Sequence, residues 1–273
     1  MKKFLSIIFF TIISIFYLSG SASANEIKFA QVTDTHYSLN NTFKTKVLTD
    51  TVDSLNKRND IAFVIFTGDN IDTAHVDNLE GFMGVIKKLN KPYYIVIGNH
   101  DVFKSNGLSK EKYMEIVNEY NIFSRNKKPN YIFKKNGFVF MVVDGAKEVI
   151  PGANGYYRKD TLDWLDKQLT KYKKYPVVIC QHFPVVPPRD VKSHTTYQAE
   201  KYIEIINKHN NVIAVIAGHY HMNGEKMLNG VYHISSPSLL VEPNNYKIIT
   251  VVTTQGFSPM IYTELVPVEN VTK

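Results

Sequence analysis

Carboxylate, amide-oxygen and imidazole side chains gather at five places in this chain: Asp34-Thr35-His36, Gly68-Asp69-Asn70-Ile71-Asp72, Gly98-Asn99-His100-Asp101, the isolated His182, and Gly218-His219-Tyr220-His221. Oxygen and nitrogen donors without a thiolate suit Mn, Fe or Zn. They suit less well Ca, which takes oxygen ligands, or a structural zinc site, which relies on cysteine. Asp34 and His36 stand two apart, and in an extended chain residues i and i+2 point to one side and can share a metal. Each string alone is a weak signal.

Position unites the clusters. Residues 27–32, 61–66, 93–97 and 212–217 are apolar, largely β-branched runs of the kind that form buried strands, and each precedes a cluster. Open α/β sheets bind ligands at the carboxyl ends of their strands, so clusters far apart in sequence are expected to converge on one crevice. Between the strands, Phe43, Val47, Leu48, Val52 and Leu55 recur at helical spacing, as do Leu79, Phe82, Met83, Ile86 and Leu89. Residues 110–117, 161–169 and 199–207 predict three further helices. Such alternation means a layered α/β fold. Residues 131–133 and 138–143, joined by Lys135-Asn136-Gly137, predict a hairpin and so a mixed sheet. Residues 231–234, 248–253 and 260–265 close the chain as strands. No internal repeat or linker is visible, and one domain over residues 25–273 is expected.

In this order the sequence resembles the calcineurin-like metallophosphoesterases, whose blocks are D-x-H, G-D-x-x-D, G-N-H-[DE], a lone His and G-H-x-H. All five are present between Asp34 and His221. The resemblance implies a single-domain α/β/β/α sandwich with mixed sheets. It further implies that Asp34, His36 and His221 hold one metal, that Asn99, His182 and His219 hold a second, and that Asp69 bridges them. The implied ions are Mn and/or Fe, with Zn as an alternative, and the implied nucleophile is a metal-bound hydroxide. Two divalent ions outweigh the two carboxylates and one hydroxide, leaving a net positive site that attracts phosphate. His100 is implied to contact the phosphate and protonate the departing alkoxide, with the carboxylate of Asp72 orienting its ring. Asp101 is a further candidate for orienting that loop. The single-domain form and the residues 68–72 resemble the cyclic-nucleotide phosphodiesterase branch of the family.

Composition limits the alternatives. A hydrophobic content of 44% over 273 residues supplies a sizeable core and excludes a disordered chain. The formal charge of +7 is spread over scattered lysine pairs, with no basic strip interleaved with aromatics, so specific nucleic-acid binding is not expected. Two of those charges, Lys2 and Lys3, precede an apolar run at residues 4–18 and the small-residue site Ala22-Ser23-Ala24, the pattern of a cleaved secretory leader over residues 1–24. The run is shorter than the roughly 20 residues of a membrane span, so a secreted or cell-envelope product with no stable span is expected. The only cysteine, Cys180, lies in an apolar run and reads as a small core residue.

Other residues carry weaker expectations. His75 and His194 are candidates to line the site, His209 reads as solvated loop and His233 as strand packing. Tyr156, Tyr157, Arg158 and residues 189–197 are candidate walls for the substrate, a small phosphate ester. A competing function is a secreted module that binds metal or ligand without turnover. The complete donor set plus His100 argues against it.

Overall fold

In the computed structural model, which describes residues 24–123, 126–190 and 192–269, the apolar runs become buried strands of two sheets. The chain begins with β1 (Ala24–Val32), α1 (Thr42–Lys57), β2 (Val64–Thr67), α2 (Val76–Ile86), β3 (Tyr93–Val96) and α3 (Lys110–Tyr120). The hairpin β4 (Tyr131–Lys135) and β5 (Phe138–Val142) follows, then β6 (Gly155–Tyr156), α4 (Lys159–Lys171), β7 (Val177–Cys180), β8 (Thr196–Tyr197) and α5 (Ala199–Asn207). The chain continues through β9 (Val212–Ala217), β10 (Gly224–Leu228), β11 (Val231–Ser235), β12 (Asn245–Thr254) and β13 (Met260–Pro267). All but one of the leader residues lie outside the described residues. Ala24 opens β1, opposite Thr254.

One sheet runs β13-β12-β1-β2-β3, antiparallel from β13 to β1 and parallel from β1 to β3, and the other runs β10-β11-β9-β7-β5-β4 with a parallel centre and antiparallel edges, so both are mixed as expected. They face each other through aromatic rings. Phe29 of β1 stacks on Phe63 at 4.8 Å and meets the edge of Phe140 of β5 at 5.4 Å, while Phe133 of β4 stacks on Tyr94 of β3. Helices α1, α2 and α3 pack in succession, and Ser54 of α1 shares a 3.0 Å hydrogen bond with Tyr246 of β12. On the other sheet α4 packs on α5, whose Tyr202 donates to Gln181 Oε1, just beyond β7, at 2.6 Å. The result is the four-layer α/β/β/α sandwich, with five α-helices among the described residues.

Local sequence explains the boundaries. Asn41 caps α1 by accepting from Lys44 N at 3.0 Å, and Val47, Leu48, Val52 and Leu55 form its buried stripe. Asn136 (φ 47°) and Gly137 (φ 81°) are both left-handed, as a two-residue hairpin turn with the twist of its strands requires. No helix among the described residues is long and apolar enough to cross a membrane. Cys180 is a free, fully buried thiol of β7, raised well above its ordinary pKa by burial.

His233 packs in β11 with 7% of its surface exposed, and burial lowers its pKa from 6.5 to about 4. A depressed imidazole binds protons more readily in the unfolded chain, so its stabilising effect is complete above pH 6.5 and lost as pH falls toward 4. The loss is at most about 3 kcal/mol, from 1.36 kcal/mol per pKa unit. In EDTA, His233→Gln is expected to shrink the fall in urea midpoint between pH 7 and pH 4; an unchanged fall would refute this.

Candidate active site

The predicted residues meet where β1, β2, β3, β7 and β9 end. Asp34, His36, Asp69, His219 and His221 all adopt left-handed backbone, with φ between 40° and 73°. Left-handed backbone is unfavourable for such residues and persists only where surroundings enforce it. Here neighbouring loops are zipped together, with Asp34 N donating to Gly68 O at 3.0 Å and His36 N to Asp69 O at 2.9 Å. The expectation of an extended Asp34-Thr35-His36 is therefore corrected, because these bonds turn the chain at each ligand-bearing residue. Their side chains still share one group. Two glycines permit the approach: a Cβ on Gly98 would strike Asp69 N and Oδ1, and one on Gly218 would strike Thr33 Oγ1 and Asp34 Oδ2. Gly98→Ala is expected to displace Asp69 and reduce metal content and activity together, measured on folded protein; normal metal content would contradict the close fit.

Two donor clusters result, Asp34 with His36 and His221, and Asp69 with His182 and His219, and a third group, His36 with Asp69 and His100, overlaps both. In the first, His221 Nε2 lies 3.3 Å from Asp34 Oδ1 and 3.2 Å from His36 Nε2. In the second, His182 Nε2 lies 3.3 Å from Asp69 Oδ2, 3.2 Å from Asn99 Oδ1 and 3.2 Å from His219 Nδ1. Asp69 Oδ2 also reaches toward the first cluster, 3.9 Å from His36 Nε2.

The second cluster tests the fit to a cation directly. His182 Nδ1 contacts Thr67 O at 2.9 Å and His219 Nε2 contacts His194 O at 3.1 Å. Carbonyls only accept, so both outer nitrogens carry hydrogen and both inner nitrogens present lone pairs in the neutral rings. Those lone pairs converge with Asp69 Oδ2 and Asn99 Oδ1, an arrangement that repels itself unless a proton or cation lies among them. Burial lowers the pKa of His182, but the Asp69 charge outweighs it and lifts the value to about 9. Burial and the nearby His182 lower His219 to about 4, so the pair takes up one positive charge and resists a second. Asp34 and Asp69 are wholly buried and burial raises them, yet the His221 hydrogen bond and the His182 charge respectively bring each below the usual range. A site that stabilises positive charge with hard and imidazole donors fits a divalent transition-metal ion.

His100 lies beside both clusters. Its backbone N donates to Asp69 Oδ1 at 2.9 Å, and its Nδ1 is 2.8 Å from the backbone O of Asp72. The expected partnership with the Asp72 carboxylate is thus corrected. That carboxylate turns instead to Lys44 Nζ at 3.0 Å and His36 Nδ1 at 3.7 Å, because the lysine on the first turn of α1 draws it away. Asp72→Ala is therefore expected to weaken binding of the ion at His36 by about tenfold while leaving His100 in place. A metal titration checks the first effect, and a leaving-group dependence like that of His100→Ala would contradict the second. Asp101 stands behind the loop, fully buried, accepting from Gly98 N at 2.7 Å, Ile71 N at 3.0 Å and Asn70 Nδ2 at 3.1 Å. Burial and the charge of Asp69 raise it to about 7.

The centre opens into a cavity of about 410 Å³ that His36, Asp69, Asn99, His100, His219 and His221 line. Arg189, Ser193, His194 and Tyr220 complete the wall. His194 thus joins the site, whereas His75 is an exposed residue at the start of α2. His209 is not simply solvated, since its Nε2 pairs with Asp166 Oδ1 at 2.8 Å. The wall segments expected near Tyr156 and Tyr197 are a small parallel ribbon, β6 with β8, whose two tyrosine rings lie 5.7 Å apart. Lys44 and Tyr220 are site residues that no expectation from the sequence singles out. Tyr220 lies inside G-H-x-H, while nothing in the spacing of Lys44 marks it.

Fold and site together define a two-metal centre on an α/β/β/α sandwich. Residues 27–223 match the model of the calcineurin-like phosphoesterase family, and the chain belongs to that family. It is 26% identical over 180 residues to a protein of Arcobacter nitrofigilis named "Probable glycerophosphodiester phosphodiesterase GpdQ", covering 64% of this chain and 62% of that one. It is 23% identical to a 3',5'-cyclic-nucleotide phosphodiesterase of Nostoc sp., covering 78% of each. The fold matches a dimetal phosphatase of Danio rerio with a TM-score of 0.64 at 19% identity, over 87% of this chain and 98% of that one.

Proposed function

We propose that this protein hydrolyses phosphodiesters outside the cytoplasm, with cyclic nucleotides among the candidate substrates. The observation that carries the reading is the convergence of two donor clusters and His100 on one cavity. The phosphodiesterase names of two relatives favour diesters over monoesters.

Asp34, His36 and His221 would hold one ion, Asn99, His182 and His219 the other, and Asp69 both. Two bound ions would supply Lewis acidity and lower the pKa of coordinated water. The chain's own contribution is orientation and proton handling. The Thr67 and His194 carbonyls fix the rings of His182 and His219. The Asp72 carbonyl fixes His100 with hydrogen on Nδ1, so Nε2 is free to hold a proton toward an ester oxygen. Arg189 lines the same cavity and favours an anion.

Purified protein with Mn²⁺ is expected to hydrolyse bis-p-nitrophenyl phosphate and to lose that activity in EDTA. No turnover with Mn, Fe, Zn or Ni would favour the non-catalytic binding module. For the location, N-terminal sequencing of product recovered outside the cytoplasm is expected to begin at Asn25. An intact Met1 would overturn cleavage of the leader.

A further inference from the structure

His100 is a wall shared by two cavities. The first is lined by His36, Asp69, His219 and His221 of the donor clusters. The second, about 320 Å³, is lined by Ala74, Val102, Phe103 and Pro151, and shares Asn99, His100 and Ala153 with the first. Neither lysine nor arginine lines it, so it offers no cation to a second anion. Val102 is wholly buried, while Val149 and Ile150, next to Pro151 on the same loop, are 65% and 77% exposed. The walls are tied together: Lys104 N donates to Glu148 O at 2.7 Å and Lys110 N to Glu148 Oε2 at 2.6 Å, fastening the loop that carries Phe103 to the loop that leads to Pro151. The lobe is therefore preformed.

In-line displacement at phosphorus places the entering and leaving oxygens on opposite sides. The second cavity borders His100 and Asn99 but is lined by none of Asp34, His36, Asp69, His182, His219 or His221. Resting on the phosphodiesterase reading, we infer that this cavity is the leaving-group subsite, that it takes an uncharged apolar or aromatic alcohol, and that Phe103 sets the preference. Water oxygen bonds to phosphorus as the bond from phosphorus to the alcohol oxygen breaks, and the electron pair stays on that oxygen. The alcohol oxygen takes the proton held at His100 Nε2, and a proton released by the attacking water restores the balance. A phosphomonoester and a free alcohol result.

The test offers the Mn²⁺-loaded full chain benzyl glyceryl phosphate, a diester with one aromatic and one polar alcohol, and quantifies both released alcohols by chromatography. The protein is expected to release benzyl alcohol over glycerol by about tenfold, the scale of burying one aromatic group. Phe103→Ala is expected to erase most of that preference and Phe103→Leu to retain part of it. This ratio does not depend on how much protein folds or loads with metal. A preference for glycerol, or a ratio that survives Phe103→Ala, overturns the subsite. Calorimetry supplies a readout without turnover: the monomethyl ester of 2-phenylethylphosphonate should bind about tenfold tighter than the ethylphosphonate analogue, and equal affinities overturn the subsite. If neither this diester nor bis-p-nitrophenyl phosphate is cleaved, the phosphodiesterase reading itself fails, and with it the assignment of the cavity to a leaving group.

Discussion

Asp69→Asn is expected to leave a folded protein that has lost at least one of two bound metal ions and nearly all turnover. Asp69 is 2% exposed, and its Oδ2 is the carboxylate oxygen that reaches both His182 and His36, at 3.3 and 3.9 Å. An amide keeps the shape and can still accept from His100 N through its oxygen, so the loop need not move. What disappears is the charge shared between the clusters. Two-metal charge stabilisation amounts to several kcal/mol, so the rate should fall on the order of 10³-fold at 1.36 kcal/mol per decade. Metal analysis gives the ion count. A second measurement needs no turnover: in metal-free protein His182 is held at about 9 chiefly by Asp69 acting against burial. Its NMR titration in Asp69→Asn should move well down. Full metal content with a normal rate would remove Asp69 from the shared position.

His100→Ala should give the opposite pattern, both ions retained and the rate reduced according to the leaving group. His182 contacts both His219 and Asn99 without using the His100 ring, whose Nδ1 is taken by the Asp72 carbonyl. A positioned general acid contributes about 10²–10⁴-fold. That loss should be greatest for alkyl esters, whose alkoxides leave poorly without a proton, and smallest for p-nitrophenyl esters. Equal losses for aryl and alkyl esters would show that His100 binds phosphate without protonating the leaving oxygen. His100 also groups with His36 and Asp69 in a third set of donor atoms within 4.8 Å of one another. Loss of an ion in His100→Ala would assign it there instead.

The sequence carried a large part of this centre. A strand buried between layers must be written as an apolar run, and a ligand must follow where the strand ends; Asp34, Asp69, Asn99, His182 and His219 were legible for that reason. The helices were legible from their stripes, and the β4–β5 turn from Asn136-Gly137. Strand β10 was not, because most of it is exposed and its residues need no apolar pattern. Nor was the β6–β8 ribbon, with only two residues in each strand.

Chemistry at the level of donor types is thus a local property, fixed by which residues end which strands. Orientation is not. Whether Asp34 and His36 are extended or left-handed depends on carbonyls and amides from the next loop, more than thirty residues away. Whether Asp72 serves His100 with its carboxylate or its carbonyl depends on Lys44, which α1 brings alongside. The second cavity lies beside two loops that Glu148 ties together and that share no spacing or motif. Residue type and strand position determined the donors. Only the tertiary structure decided what each donor faces, because hydrogen-bond direction is set by partners that the chain meets after folding.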